Sequence, residues 1–265
     1  MTTRTLTRDE GTLTYEISGP ADGRLVVCAH GLGDTRQTYR LLVPALAEAG
    51  YRVATIDLRG AGDSSVVWSR YGTIATAGDL AALIRELGGP AVVIGHSFAA
   101  GSIAHLAVDS PELVSALVMI GPAVRHDKPS GIMGLAAKAV TSNPTLWTMY
   151  YKSLYPGAKP DDFAQYLRDL KASLRRPGRI NTVRKTLDAL PGDAPARLGA
   201  VTAPALIVMG DTDGDFADPT GEAHRIGDEL GGAATVTVMA GSGHYPHVDN
   251  AEDTIAATLA FLKGH

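Results

Sequence analysis

Cysteine is nearly missing from this chain: of 265 residues only Cys28 carries a thiol. A single cysteine excludes an internal disulfide and suits a reducing compartment. It lies in the apolar run Leu25-Val26-Val27-Cys28-Ala29, so it reads as core packing and not as a nucleophile. No apolar run approaches the length needed to span a bilayer, and the first residues, Met1-Thr2-Thr3-Arg4-Thr5-Leu6, hold no apolar stretch of the secretory kind. A cytoplasmic protein without membrane partners is the expectation. Charge of one sign is also missing. Lys and Arg number 24 against 28 Asp and Glu, a net charge of −4, which favours no polyanionic partner such as nucleic acid. No group of His, Cys and Asp has metal-ligand spacing, so no metal and no cofactor are expected. There is no internal repeat and no low-complexity segment.

What remains is a globular chain with 45% apolar and 20% charged residues. Its length fits one large α/β domain, or one domain carrying an inserted subdomain. Residues 4–18 alternate around Gly11, the pattern of a β-hairpin. Leu25–Ala29 is a short continuous apolar run, as a strand buried on both faces requires. Helical spacing over 36–49 stops at Gly50, and a β run follows over 52–56. A helix over 76–87 closes at Gly88-Gly89-Pro90. Strand 91–94, a helix to about 108 and strand 116–120 come next. From about 125 to 198 no strand-like run occurs. Phe163, Tyr166, Leu167, Leu170 and Leu174 recur at helical spacing there, as do Ile180, Val183, Leu187 and Leu190. Alternation then resumes with strand 204–209, helix 220–230, strand 234–239 and helix 251–263. This predicts a mostly parallel, doubly wound α/β sheet (1–124 and 199–265) interrupted by an all-helical insertion over 125–198.

One junction stands out. The strand Ala91-Val92-Val93-Ile94 runs through Gly95-His96 into Ser97, and then into the helix-forming Phe98-Ala99-Ala100-Gly101. A serine on so tight a turn needs small residues two positions either side, here Gly95 and Ala99, and its hydroxyl is lifted above the sheet edge. The same residues could make an ordinary strand–turn–helix with Ser97 as a cap. Sites in α/β sheets lie at the carboxyl ends of the parallel strands. Those ends carry His30-Gly31-Leu32-Gly33, Asp57-Leu58-Arg59-Gly60, Ser97, Gly210-Asp211-Thr212-Asp213 and Gly241-Ser242-Gly243-His244. A serine, an acid and a histidine each stand at a strand end, in that order along the chain.

Across nearly its whole length the chain resembles the α/β-hydrolase superfamily. The resemblance rests on His30-Gly31, Asp57-Leu58-Arg59-Gly60-Ala61-Gly62-Asp63-Ser64, the serine turn, the Gly210–Asp213 loop and Gly243-His244. It departs at Ala99, where glycine is usual, and at Ala61, where histidine is common. The resemblance implies an α/β-hydrolase fold with a helical cap, and it places the acid three residues after the strand-ending glycine, at Asp213. Asp211 is the competing acid, while Asp215 and Asp218 read as helix caps. His244 follows directly on a glycine turn. Its competitor, His247, comes after Pro246 and approaches the last helix.

Chemistry then assigns roles. A serine hydroxyl is a weak nucleophile and needs a base within hydrogen-bond reach, here His244, which an aspartate must orient. The developing oxyanion needs fixed donors. In this architecture they are the backbone N–H groups of Phe98 and Leu32, with Gly31 and Gly33 letting the Leu32 backbone approach the substrate. Met133, Leu135, Trp147, Met149, Tyr150 and Tyr151 are the candidate pocket-lining residues. His96 is expected to pack beneath the serine turn. His126, His224 and His265 are expected at the surface. Residues 168–185 carry seven Lys and Arg against one Asp, which reads first as a solvated face and second as a lid that attracts anions. The expected activity is cofactor-independent serine hydrolysis of a small, largely apolar ester, lactones and thioesters included, through an acyl-serine. Two alternatives use the same fold: a cofactor-free haloperoxidase or perhydrolase, and a ligand receptor without turnover.

Overall fold

Short runs of Val, Ile, Leu and Ala form the centre of the molecule. The computed structural model describes residues 2–125, 131–190 and 197–265. Strands β3 (Leu25–Ala29), β5 (Ala91–His96), β6 (Val114–Ile120) and β7 (Ala205–Gly210) are buried along nearly their whole length. Buried runs of this kind arise because helices cover both faces of a parallel sheet. With β1 (Thr2–Arg8), β2 (Gly11–Ser18), β4 (Arg52–Ile56) and β8 (Ala234–Met239) they form one eight-stranded sheet in the order β1-β2-β4-β3-β5-β6-β7-β8. The β1–β2 and β2–β4 pairs are antiparallel and the others parallel. Alternate side chains feed opposite layers. Val27 and Val93 pack with Leu80 and Leu83 of α2 (Thr73–Glu86), Ile103 of α3 (Phe98–Asp109) and Ile226 of α8 (Pro219–Glu229). Val26, Val92 and Ile94 pack with Leu42 and Leu46 of α1 (Leu42–Glu48) and Phe261 of α9 (Ala251–Gly264).

The helix expected over 36–49 is broken. A 3-10 turn occupies Arg36–Tyr39, and α1 begins only at Leu42. Pro44 has no N–H to offer the Arg40 carbonyl, so one continuous helix would lose that bond. Tertiary contacts hold the first turn instead: the Arg36 amide donates to Asp57 Oδ1 at 2.8 Å, and the Tyr39 hydroxyl to the Ala29 carbonyl at 2.8 Å.

Between β6 and β7 the described residues hold helices and no strand: α4 (Gly131–Val140), α5 (Pro144–Ser153), α6 (Phe163–Arg175) and α7 (Arg179–Asp188). Asn143 starts α5, its side-chain oxygen accepting the Thr145 and Leu146 amides at 2.8 and 3.3 Å. On α6, Phe163, Tyr166, Leu170 and Leu174 are buried at helical spacing. They join Trp147, Tyr151 and Tyr155 in an aromatic core that also takes Tyr245 and Val248 from the main body. The expected ends of the insertion adjoin residues 126–130 and 191–196, which lie outside the described residues, as does His126. The basic run is only partly the solvated face expected of it. Arg176 donates to Asp63 Oδ1 at 2.9 Å and to the Gly62 carbonyl at 3.0 Å, and buried Arg179 donates to the carbonyls of Ala61 and Ser64. These guanidiniums fasten the insertion to the loop after β4. Among the described residues, no helix is long and apolar enough to cross a membrane.

Candidate active site

Ser97 stands between the end of β5 and the start of α3, with φ 56° and ψ −125°. Among the described residues it is the one non-glycine with positive φ. Such a conformation costs about 1–3 kcal/mol and persists only where the surroundings enforce it. The Ser97 amide donates to the Ile120 carbonyl at 2.9 Å, tying the turn to β6. A methyl group on Gly95 would lie 2.7 Å from the Ala99 carbonyl oxygen, so strand and helix meet there with no room for a side chain. Phe98 opens α3, where a helix amide has no intrahelical acceptor.

His244 follows β8. Its Nδ1 lies 2.7 Å from Asp213 Oδ2, in the loop after β7, and both side chains are buried. A carboxylate at Nδ1 keeps the proton on that nitrogen and leaves Nε2 as the basic atom. Burial alone would push this imidazole down, but the Asp213 charge and hydrogen bond outweigh it, so the pKa sits above the ordinary value. Asp213 Oδ1 accepts the Asp215 amide at 3.0 Å, which completes the orientation of the acid.

Ser97, Phe98, Leu32 and His244 line a single cavity of about 680 Å³. Of the six expected pocket-lining residues, Met133, Trp147 and Tyr150 line it. Leu135, Met149 and Tyr151 do not. Leu135 and Met149 are exposed. Each sits two positions from a lining residue, or about 200° around the helix, and so faces outward. Tyr151 turns into the aromatic core, where its hydroxyl donates to Asp34 Oδ2 at 2.9 Å. Ala136, Ala137 and Val140 of α4 also line the cavity, but small residues left no distinguishing mark in the sequence.

The competing assignments separate by geometry. Asp211 is exposed, and its carboxylate accepts the Gly241 amide at 2.7 Å. His247 is buried, with Nε2 3.0 Å from Thr38 Oγ1, and burial pushes its pKa down to about 3. Asp218 caps α8 by accepting the Gly221 amide. Asp215 is no cap. It accepts the Tyr150 hydroxyl at 2.8 Å, and its Oδ2 lies 3.8 Å from His244 Nε2. Asp213, Asp215 and His244 thus gather three ligand-type atoms within 4.8 Å, a grouping the sequence spacing did not disclose. Their donors already engage one another and Tyr150. His96 does more than pack beneath the turn, since its Nε2 donates to the His244 carbonyl at 2.9 Å and couples β5 to the histidine loop.

A parallel sheet with a strained serine at one strand end and a carboxylate-held histidine at another defines the α/β-hydrolase class. The model of the alpha/beta hydrolase family matches residues 26–258, and the chain belongs to that family. It is 28% identical over 262 residues to a probable esterase of Oryza sativa subsp. japonica, covering 93% of this chain and 94% of the rice protein. It is also 28% identical to "Karrikin insensitive 2 receptor CA" of Petunia hybrida, over 89% of this chain and 91% of that one. Among solved structures, a thermophilic esterase from Thermogutta terrifontis superposes with a TM-score of 0.82 at 21% identity, covering 100% and 99% of the two chains. A bromoperoxidase from Bacillus anthracis superposes with 0.84 at 22%, covering 99% and 100%. The family and its esterase-named relative support a hydrolytic function.

Proposed function

We propose that the protein is a cofactor-independent serine hydrolase that cleaves a small, largely apolar ester. Lactones and thioesters fall within the same chemistry. The observation that carries this reading is Ser97, held at positive φ in the cavity that His244 lines, with His244 Nδ1 2.7 Å from Asp213. Ser97 Oγ attacks the carbonyl carbon while His244 Nε2 takes the hydroxyl proton. The carbonyl oxygen becomes an oxyanion held by the Leu32 and Phe98 amides. The bond to the alcohol then breaks, the alcohol leaves with the proton from His244, and water releases the acid from Ser97 by the same steps. The apolar walls of the cavity, Leu32, Val140, Leu187 and Phe216 among them, favour a hydrocarbon acyl or alcohol group.

A fluorophosphonate probe tests the mechanism. Wild-type protein should be labelled at Ser97, and Ser97→Ala should abolish labelling and lower turnover of a model ester by about 10⁴-fold or more. Labelling that survives the substitution sinks the reading. A second reading, a ligand receptor with little turnover, draws support from the receptor-named Petunia relative. A single-turnover burst followed by near-zero steady-state rate favours the receptor. Sustained turnover favours the enzyme.

A further inference from the structure

The loop that bears the Leu32 amide is held from two sides. From the sheet side, His30 Nδ1 donates to the Gly31 carbonyl at 2.7 Å, while His30 Nε2 accepts the Leu58 amide at 3.0 Å. The two bonds together fix the tautomer, with the proton on Nδ1. From the other side come three side chains of the helical insertion. Trp147 Nε1 donates to the Gly33 carbonyl at 3.1 Å. The Tyr151 hydroxyl donates to Asp34 Oδ2 at 2.9 Å, and the Tyr166 hydroxyl donates to Asp34 Oδ1. Gly33 has φ +64°, and any side chain there would run into the Trp147 indole.

Asp34 is buried, and nothing in the proposed acyl-transfer steps uses it. Its carboxylate also accepts the Thr35 amide at 2.7 Å, and its own amide donates to the Gly31 carbonyl at 3.4 Å, closing the turn around Leu32. A carboxylate buried against two phenols, on the residue that closes this turn, ties the loop backbone to α5 and α6. Tyr151 and Tyr166 are themselves fixed, since Tyr151 bonds Tyr155 at 3.0 Å and the Arg40 guanidinium stacks 4.2 Å over the Tyr166 ring. The backbone on either side of Leu32 is therefore held by the insertion as well as by the sheet.

We propose that Asp34 is a positioning residue, through which Tyr151 and Tyr166 of the helical insertion aim the Leu32 amide at the oxyanion. The proposal rests on the serine-hydrolase reading. An oxyanion donor contributes only when it sits at hydrogen-bond distance from the oxygen of the tetrahedral species, so a loop displaced by about an ångström loses rate without losing substrate affinity. Docking of the insertion thus completes the site as well as covering it.

The test compares wild type, Tyr166→Phe, the Tyr151→Phe/Tyr166→Phe double variant and Asp34→Asn, each normalised to sites titrated by a fluorophosphonate. Normalisation removes any fraction that fails to fold. Trp147→Phe, which keeps an aromatic ring and loses the donor, gives a milder second approach. The expected result is kcat per titrated site lowered about tenfold or more in the double variant and in Asp34→Asn, with KM within twofold of wild type. The inhibition constant of a trifluoromethyl ketone, which adds reversibly to the serine and places an oxyanion in the same position, should rise by the same factor as kcat falls. The acid limb of the pH profile, set by His244, should stay in place. Unchanged kcat per titrated site, or a loss confined to KM, overturns the proposal alone. Wild-type protein that takes no label at Ser97 overturns the hydrolase reading, and this proposal with it.

Discussion

The sheet and the helical insertion contribute unlike things to one cavity. From the sheet come Ser97, Asp213 and His244, each at the carboxyl end of a strand and each fixed by bonds to neighbouring strand ends or loops. The insertion adds Met133, Trp147 and Tyr150, all on helices. The insertion is itself uneven. Helix α4 buries none of its residues, whereas α5 and α6 share an aromatic core with the main body. The side chains to which the proposed mechanism gives charge stand at strand ends, and those that shape the cavity stand on elements whose grip on the sheet varies. Tightly held and loosely held residues should therefore fail in different ways when altered.

The largest contrast is expected at the acid. Asp213→Asn leaves the size unchanged but no longer favours the Nδ1 proton, and should lower kcat by about 10³–10⁴-fold. Under the proposed mechanism the imidazole must be neutral to accept the serine proton, so the raised pKa of His244 puts the wild-type acid limb above the ordinary imidazole value. Activity should fall as pH drops through that midpoint. In Asp213→Asn the midpoint should move down, since burial is then opposed only by the weaker charges of Asp215 and Asp249. A pH–rate profile of both proteins measures it, and an unmoved midpoint removes Asp213 from the role assigned to it.

On the insertion, Leu170→Ala should cost about 2–5 kcal/mol of stability, read by denaturant unfolding, because Leu170 is buried in the aromatic core. Its kcat per titrated site should stay near wild type. Ala136→Phe narrows the cavity from α4 and should change the ratio of kcat/KM between long and short acyl esters by about tenfold, with little loss of stability. The smallest effect concerns salt. No side chain of residues 168–185 lines the Ser97 cavity. Rates on an anionic and a neutral ester should therefore respond alike to added salt, and a selective fall for the anion would revive steering by the basic run.

Much of the fold is legible because buried parallel strands leave a strong mark. Leu25–Ala29, Ala91–His96 and Ala205–Gly210 are apolar runs closed by turn residues, and the strand ends could be searched for polar groups. The sequence also offers Ser97, Asp213 and His244 at those ends, and the structure brings Asp213 and His244 to 2.7 Å. What escapes is orientation. Nothing in the sequence says which side of α5 faces the sheet, so Tyr151 and Met149 looked equivalent to Tyr150. The pairing of Asp34 with Tyr151 and Tyr166 joins residues more than a hundred positions apart, and no local pattern signals it. Asp215 resembled a helix cap because its neighbour Asp218 is one. Only the fold of the loop separates them.

Cys28 brings a practical gain. It lies at the centre of the sheet with no exposed surface, and burial pushes its thiol pKa up, so almost no thiolate is presented to a reagent. A cysteine introduced at Leu135 or Met149, both outward-facing on the insertion, would be the one reactive thiol in the chain. A maleimide dye or nitroxide attached there would report on the insertion alone, against a silent background, in an otherwise native protein.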